Sequence, residues 1–206
     1  FDPAIVSKFQ NCGVVVLNSP TDVVPAVLNY LGRDPDSHKS EDLDAATKVL
    51  TAIRPYVRKW HSSEYINDLA NGDACLAFGF SGDIKQAAKR AVEAKKPFKV
   101  EYKIPQEGSQ IWIDAWAIPA DAANVDAAHR FLDFLLRPDI AALNSNFIGY
   151  ANAVPASQPQ IDAAIRNDPT VYPSEDVRKR FYTISAPDRA YERLRTRAWT
   201  RVTTGR

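Results

Sequence analysis

Apolar positions fall into two recurring patterns along the chain. Short continuous runs such as Val14-Val-Val-Leu17 fit a buried strand. Stripes spaced three and four residues apart fit amphipathic helices. Val23, Val24, Val27, Leu28 and Leu31 make one stripe, between Ser19-Pro20 and Gly32. Leu43, Ala46, Val49, Leu50 and Ile53 make another, between Ser40 and Pro55. Asp2-Pro3 reads as a helix start and Gly13 as a stop. A strand is predicted over 56–60, then a helix capped by Ser62 or Ser63 through Ile66, Leu69 and Ala70 to Gly72. Cys75 to Phe80 alternates as a strand, and Ser81-Gly82-Asp83 turns into a helix over 84–95. Strands are predicted over 99–104 and 111–116, on either side of a turn at Gly108. Helices follow from Asn124 and from Pro138, then a loop from Gly149 to Pro155, then proline-punctuated helical segments and a last helix from about Asp188. Strands alternating with helices predict an α/β fold.

The stretch 111–116, Ile-Trp-Ile-Asp-Ala-Trp, carries the least ordinary chemistry. Strand side chains alternate between faces, which puts Ile111, Ile113 and Ala115 on a core face. Trp112, Asp114 and Trp116 share the other. A carboxylate between indole faces suits an alkylammonium or guanidinium. The plainer alternative pairs Asp114 with an arginine or a backbone amide and leaves the tryptophans as packing. Phe80 and Asp83 repeat the aromatic-plus-carboxylate chemistry where a strand meets a helix, the place where ligands gather in open α/β sheets; Asp83 also fits a plain helix N-cap. Tyr150, near the start of its loop, can pack or offer a ring and hydroxyl to a ligand. Asp83 and Asp114 as the acid/base pair of a hydrolase is the alternative function, one that gives the aromatics no purpose.

Composition narrows the choice. The 206 residues are 45% hydrophobic and 25% charged with a net charge of +1, which is ordinary globular composition. Arg189, Arg193, Arg197 and Arg201 recur every fourth residue, but without a wider basic surplus they read as a solvated face, not a nucleic-acid surface. No apolar run reaches the roughly 20 residues of a membrane span. The chain starts at Phe1 and has no methionine, so an upstream portion is expected to have been removed or left out. Phosphate-binding glycine loops, the nucleophile elbow and paired-histidine or paired-cysteine metal motifs are all missing, so neither a metal nor a cofactor is expected. His61 beside Ser62 and Ser63 has no evident acid partner and reads as structural. Cys12 and Cys75, the only cysteines, fit equally a disulfide or two buried thiols.

Several strings together carry a family resemblance: Val27-Leu-Asn-Tyr-Leu-Gly-Arg-Asp-Pro35, His61-Ser-Ser-Glu-Tyr-Ile-Asn-Asp-Leu-Ala-Asn-Gly-Asp73, Ser81-Gly-Asp83, Ile104-Pro-Gln-Glu-Gly108, Phe134-Leu-Leu-Arg-Pro-Asp139, Tyr150-Ala-Asn-Ala153 and Thr196-Arg-Ala-Trp-Thr200. The chain resembles the periplasmic polyamine-binding proteins of ABC importers, most closely the putrescine-binding type. The likeness runs nearly end to end and covers the later half or more of a family member.

The resemblance implies a two-lobe α/β clamp of which part of one lobe lies upstream. Residues 1–108 would form the main part of the second lobe, 109–154 would belong to the first lobe with the hinge crossings, and 155–206 would return to the second. It also implies a monomeric, non-enzymatic receptor in the periplasm. Such a receptor binds a putrescine- or spermidine-class polyamine and delivers it to the membrane permease of an ABC importer. Cys12 and Cys75 would be bonded. The family's ligand positions fall on Phe80, where the putrescine-binding type has Trp, on Asp83, on Trp112, where putrescine binders carry Phe and spermidine binders Trp, and on Asp114 and Tyr150. A family glutamate falls at Thr21, a departure that neighbouring Asp22 would have to make good.

Overall fold

The computed structural model describes residues 1–206. In order, its elements are α1 (Pro3–Val6), β1 (Val14–Val16), α2 (Pro20–Tyr30), α3 (Ser40–Ile53), β2 (Lys59–Trp60), α4 (Tyr65–Asn71), β3 (Leu76–Phe78), α5 (Ser81–Glu93), α6 (Val125–Leu135), α7 (Pro138–Ile148), α8 (Ala163–Arg166), α9 (Glu175–Arg178) and α10 (Arg189–Thr204), with 3-10 turns at Ser7–Phe9, Arg54–Tyr56 and Pro155–Gln160. The three strands form a parallel sheet in the order β2-β1-β3, with Val15 opposite Lys59 on one side and Ala77 on the other. β1 is central and wholly buried, which is why it reads as an unbroken valine run.

Around the sheet lies a core of 23 buried residues, drawn from positions 6–87 and 191–202. α2 turns Val23, Val24, Val27 and Leu28 inward, and α3 turns Leu43, Ala46, Leu50 and Ile53. α10 returns from the far end of the sequence to pack on α3 and α2. Its Trp199 indole donates to the side-chain oxygen of Asn18 at 2.8 Å. On α10 the apolar spacing predicts a buried face of Tyr191, Leu194, Ala198 and Val202, but Leu194 is exposed, and Arg195 is buried and paired with Glu192. Arg189, Arg193, Arg197 and Arg201 are solvent-exposed.

Cys12 and Cys75 are disulfide-bonded, their Cα atoms 5.7 Å apart. The bridge joins the end of the first helical segment to the residue before β3. Closing a loop this long stabilises by about 4 kcal/mol in the chain-entropy model. His61 is structural: its Nδ1 accepts the N–H groups of Ser63 and Glu64, at 3.2 and 3.1 Å, ahead of α4. No helix is long and apolar enough to cross a membrane.

Two predicted strands do not form. Residues 99–104 and 111–116 are both irregular. The backbone of 111–116 is paired only where that stretch begins. Gln110 bridges Tyr182, with Ile111 N–H donating to the Tyr182 carbonyl at 2.9 Å and Tyr182 N–H to the Ser109 carbonyl at 3.1 Å. Alternation alone does not make a strand, because backbone N–H and C=O groups need a neighbouring strand to pair with. Nor is Ile111, Ile113 and Ala115 a core face here, for Ile113 is 77% exposed. Eleven of the sixteen exposed large hydrophobics lie between 111 and 148, so the unburied apolar surface is concentrated on this segment. α6, despite its apolar stripe, buries none of its residues.

Two carboxylates make the fold acid-sensitive. Asp42, in the first turn of α3, accepts from the Ser37 hydroxyl and from Arg33, and both hold its carboxyl below the usual range. Asp168 is raised by burial, but Lys85 and Thr170 more than offset this and hold it low. A carboxyl depressed in the folded state adds stability above its unfolded value and loses it as pH falls through the folded one. Denaturant midpoints are therefore expected to hold down to about pH 4 and then to fall, with a shallower fall in Asp42→Asn.

Candidate functional site

α5 begins at Ser81, directly after β3, with Phe80 as its N-cap residue and Asp83 in its first turn. Asp83 is therefore not the cap. Its carboxylate accepts a hydrogen bond from the Tyr65 hydroxyl, and that hydroxyl in turn accepts the N–H of Phe80 at 3.1 Å. Tyr65 itself is fully buried. The strand end and the helix start are thus fastened to one phenol.

Tyr150 reaches the same place from the other side. It follows Gly149, which ends α7 in the left-handed conformation. Asn152 anchors its loop: the amide donates to Ser145 Oγ at 2.8 Å and to the Ala141 carbonyl, and Oδ1 accepts from Val154 N–H and Ser157 Oγ. The Tyr150 ring then lies close against Gly82, where a Cβ would overlap it. Burial pushes the Tyr150 hydroxyl up to about 12; the Asp83 carboxylate adds to the rise, and the N–H groups of Asp83 and Gly82 oppose it. This explains the small residue inside Ser-Gly-Asp. The middle position must be bare for the tyrosine to sit beside the carboxylate.

The third side is the 109–114 segment. Trp112 Nε1 donates to Asp22 Oδ1 at 2.9 Å, which fixes one edge of the indole to the first turn of α2. Asp22 is buried and also accepts from the Ser19 hydroxyl. Its charge adds to burial in raising the Tyr182 hydroxyl to about 12. Thr21 bonds its neighbour Ser19 at 2.9 Å. It is therefore Asp22, not Thr21, that supplies the carboxylate at this end. Asp114 is exposed.

All six residues singled out from the sequence, Thr21, Phe80, Asp83, Trp112, Asp114 and Tyr150, line one open cleft of about 2690 Å³, and so does Asp22. Rings and acids from three separate parts of the chain therefore face one space. Such a lining can receive a cation, with ring faces against its methylenes and ammonium groups and carboxylates accepting its N–H bonds. Sequence reasoning missed Tyr65, which looks like any buried aromatic of an amphipathic helix and is distinguished only by its tertiary contacts. Asp22 entered only as the stand-in for the glutamate absent at Thr21; its bond to Trp112 is visible only in the fold.

The family model described as bacterial extracellular solute-binding protein matches residues 4–173. The chain is 47% identical over 205 residues to the putrescine-binding periplasmic protein PotF of Escherichia coli (strain K12), covering 99% of this chain and 55% of that protein. It is 45% identical over 206 residues to the putrescine-binding periplasmic protein SpuD of Pseudomonas aeruginosa (strain UCBPP-PA14), covering all of this chain and 56% of that one. Among solved structures, a chain from Listeria monocytogenes described as a proposed spermidine/putrescine ABC transporter superposes with a TM-score of 0.84 at 26% identity, over 100% of this chain and 60% of its own. This chain thus spans a little over half the length of the relatives it matches, and over that span it has their α/β fold. With the family model matched across most of its length, the chain belongs to the bacterial extracellular solute-binding proteins.

Proposed function

We propose that this chain forms part of a periplasmic receptor that closes on a polyamine of the putrescine or spermidine class and delivers it to the permease of an ABC importer. The observation that carries the reading is the convergence of Phe80, Asp83, Trp112, Asp114 and Tyr150, with Asp22 beside Thr21, on one cleft. The relatives named for putrescine binding support it. In this reading the aromatic faces cover the methylenes, Asp83 and Asp114 neutralise the ammonium groups, and closure follows from tighter binding to the closed form. A micromolar site needs about 8 kcal/mol net. A few charge-assisted contacts at roughly 1.5–3 kcal/mol each supply that once water is excluded. No enzymatic step, metal or cofactor enters the reading, and the receptor acts as a monomer. The hydrolase alternative gains nothing from the relatives, which carry binding-protein names.

The layout of the proposed clamp follows the core. Residues 1–108 and 155–206 form the fuller lobe, supported by a core built from 6–87 and 191–202. Residues 109–154 belong to the other lobe, supported by the unburied apolar surface they carry, since exposed apolar patches of this kind mark surfaces that something covers.

A thermal-shift screen of putrescine, spermidine, cadaverine and agmatine against the full-length protein tests the function. A ligand at 100 times its Kd stabilises by about 2.7 kcal/mol, and at least one of these amines is expected to raise the melting temperature by several degrees. A screen in which none does would overturn the proposal.

A further inference from the structure

We propose that Tyr65 is a positioning residue of the amine site: from outside the cleft, its hydroxyl sets both the carboxylate of Asp83 and the backbone that carries Phe80. The inference rests on the polyamine reading above and goes one layer deeper. Tyr65 is fully buried and is not among the residues lining the cleft, so a ligand does not touch it. Its oxygen nevertheless joins two of the groups that a ligand would touch. It donates to Asp83 Oδ2 and accepts from Phe80 N–H at 3.1 Å.

The ring is as closely fitted as the hydroxyl. A Cβ on Gly79 would come within 2.5 Å of Tyr65 Cε2, so the residue before Phe80 is bare where the phenol passes. β3, the N-terminus of α5 and the middle of the cleft therefore meet at one side chain on α4. Burial and the Asp83 carboxylate both hold the phenol in its protonated form, so it remains a donor across the physiological range. Rotation of Asp83 would break a bond to a buried donor, and leaving such a group unpaired is costly. The carboxylate is thus held in one orientation before any ligand arrives, which reduces the ordering cost of binding.

Tyr65→Phe in the full-length protein tests this. The substitution keeps the ring over Gly79 and removes only the oxygen. Calorimetry with putrescine and spermidine should show about a fivefold loss of affinity, the scale of one ordinary hydrogen bond and less than the loss of a charged contact made to the ligand itself. In an Asp83→Ala background the same substitution should cost about twofold or less, since coupled residues are not additive. Unchanged affinity in Tyr65→Phe, or an equal loss with and without Asp83, would each overturn the positioning role and leave the polyamine reading intact. Wild-type protein that binds no amine would overturn that reading, and the positioning role with it.

Discussion

Asp83→Asn in the full-length protein is expected to weaken putrescine binding by roughly 10- to 100-fold, because one charge-assisted contact contributes about 1.5–3 kcal/mol and each 1.4 kcal/mol is tenfold in affinity. Asparagine keeps the shape and can still accept from the Tyr65 hydroxyl, so the change isolates the charge. Asp114→Asn should cost at least about tenfold by the same contact. Stability should hardly move in the second variant, since Asp114 is exposed and makes no ion pair in the fold. Calorimetry on both variants checks the pair, and affinity unchanged from wild type would remove the substituted aspartate from the site.

Gly82→Ala is expected to separate binding from folding. Gly82 is helical and buried in the first turn of α5, and alanine is the better helix former by roughly 0.5–1 kcal/mol. The added methyl, however, would occupy the place of the Tyr150 ring. The ring must leave, and a ring facing a cation contributes about 0.5–2 kcal/mol. Affinity should therefore fall by roughly 3- to 30-fold while the melting temperature stays level or rises. A variant that binds as tightly as wild type would show that Tyr150 takes no part in binding. A large drop in stability would show instead that the ring is a packing element.

Much of the nearer half of the fold could be read from periodicity. β1, α2, α3 and α5 appear where valine runs, apolar stripes and caps place them, and α10 starts at its Asp188 cap as expected, although the surface it packs on lies far away in the sequence. The 99–104 and 111–116 stretches could not be read in this way. Their alternation is real, but pairing depends on a partner strand, and the side-chain pattern of one strand says nothing about the presence of another. The site was legible as chemistry and not as support. Phe80, Asp83, Trp112 and Tyr150 stand out as rings and acids in unusual company. Tyr65 and Asn152 are identified only by what they touch across 18 and 7 residues of sequence, and the bond from Trp112 to Asp22 spans 90. The Thr21 position illustrates the same limit: a register carried over by resemblance lands one residue from Asp22, the carboxylate that the helix turns inward.

A ribosome builds this polypeptide in one direction, and α10 emerges after every element it packs on. Until residues 189–204 are released, Trp199 has no Asn18 to bond, and the sides of α2 and α3 that it covers stay wet. Contacts of such long separation form slowly and only once both partners exist. A growing chain therefore cannot complete this core until residues 189–204 have left the ribosome.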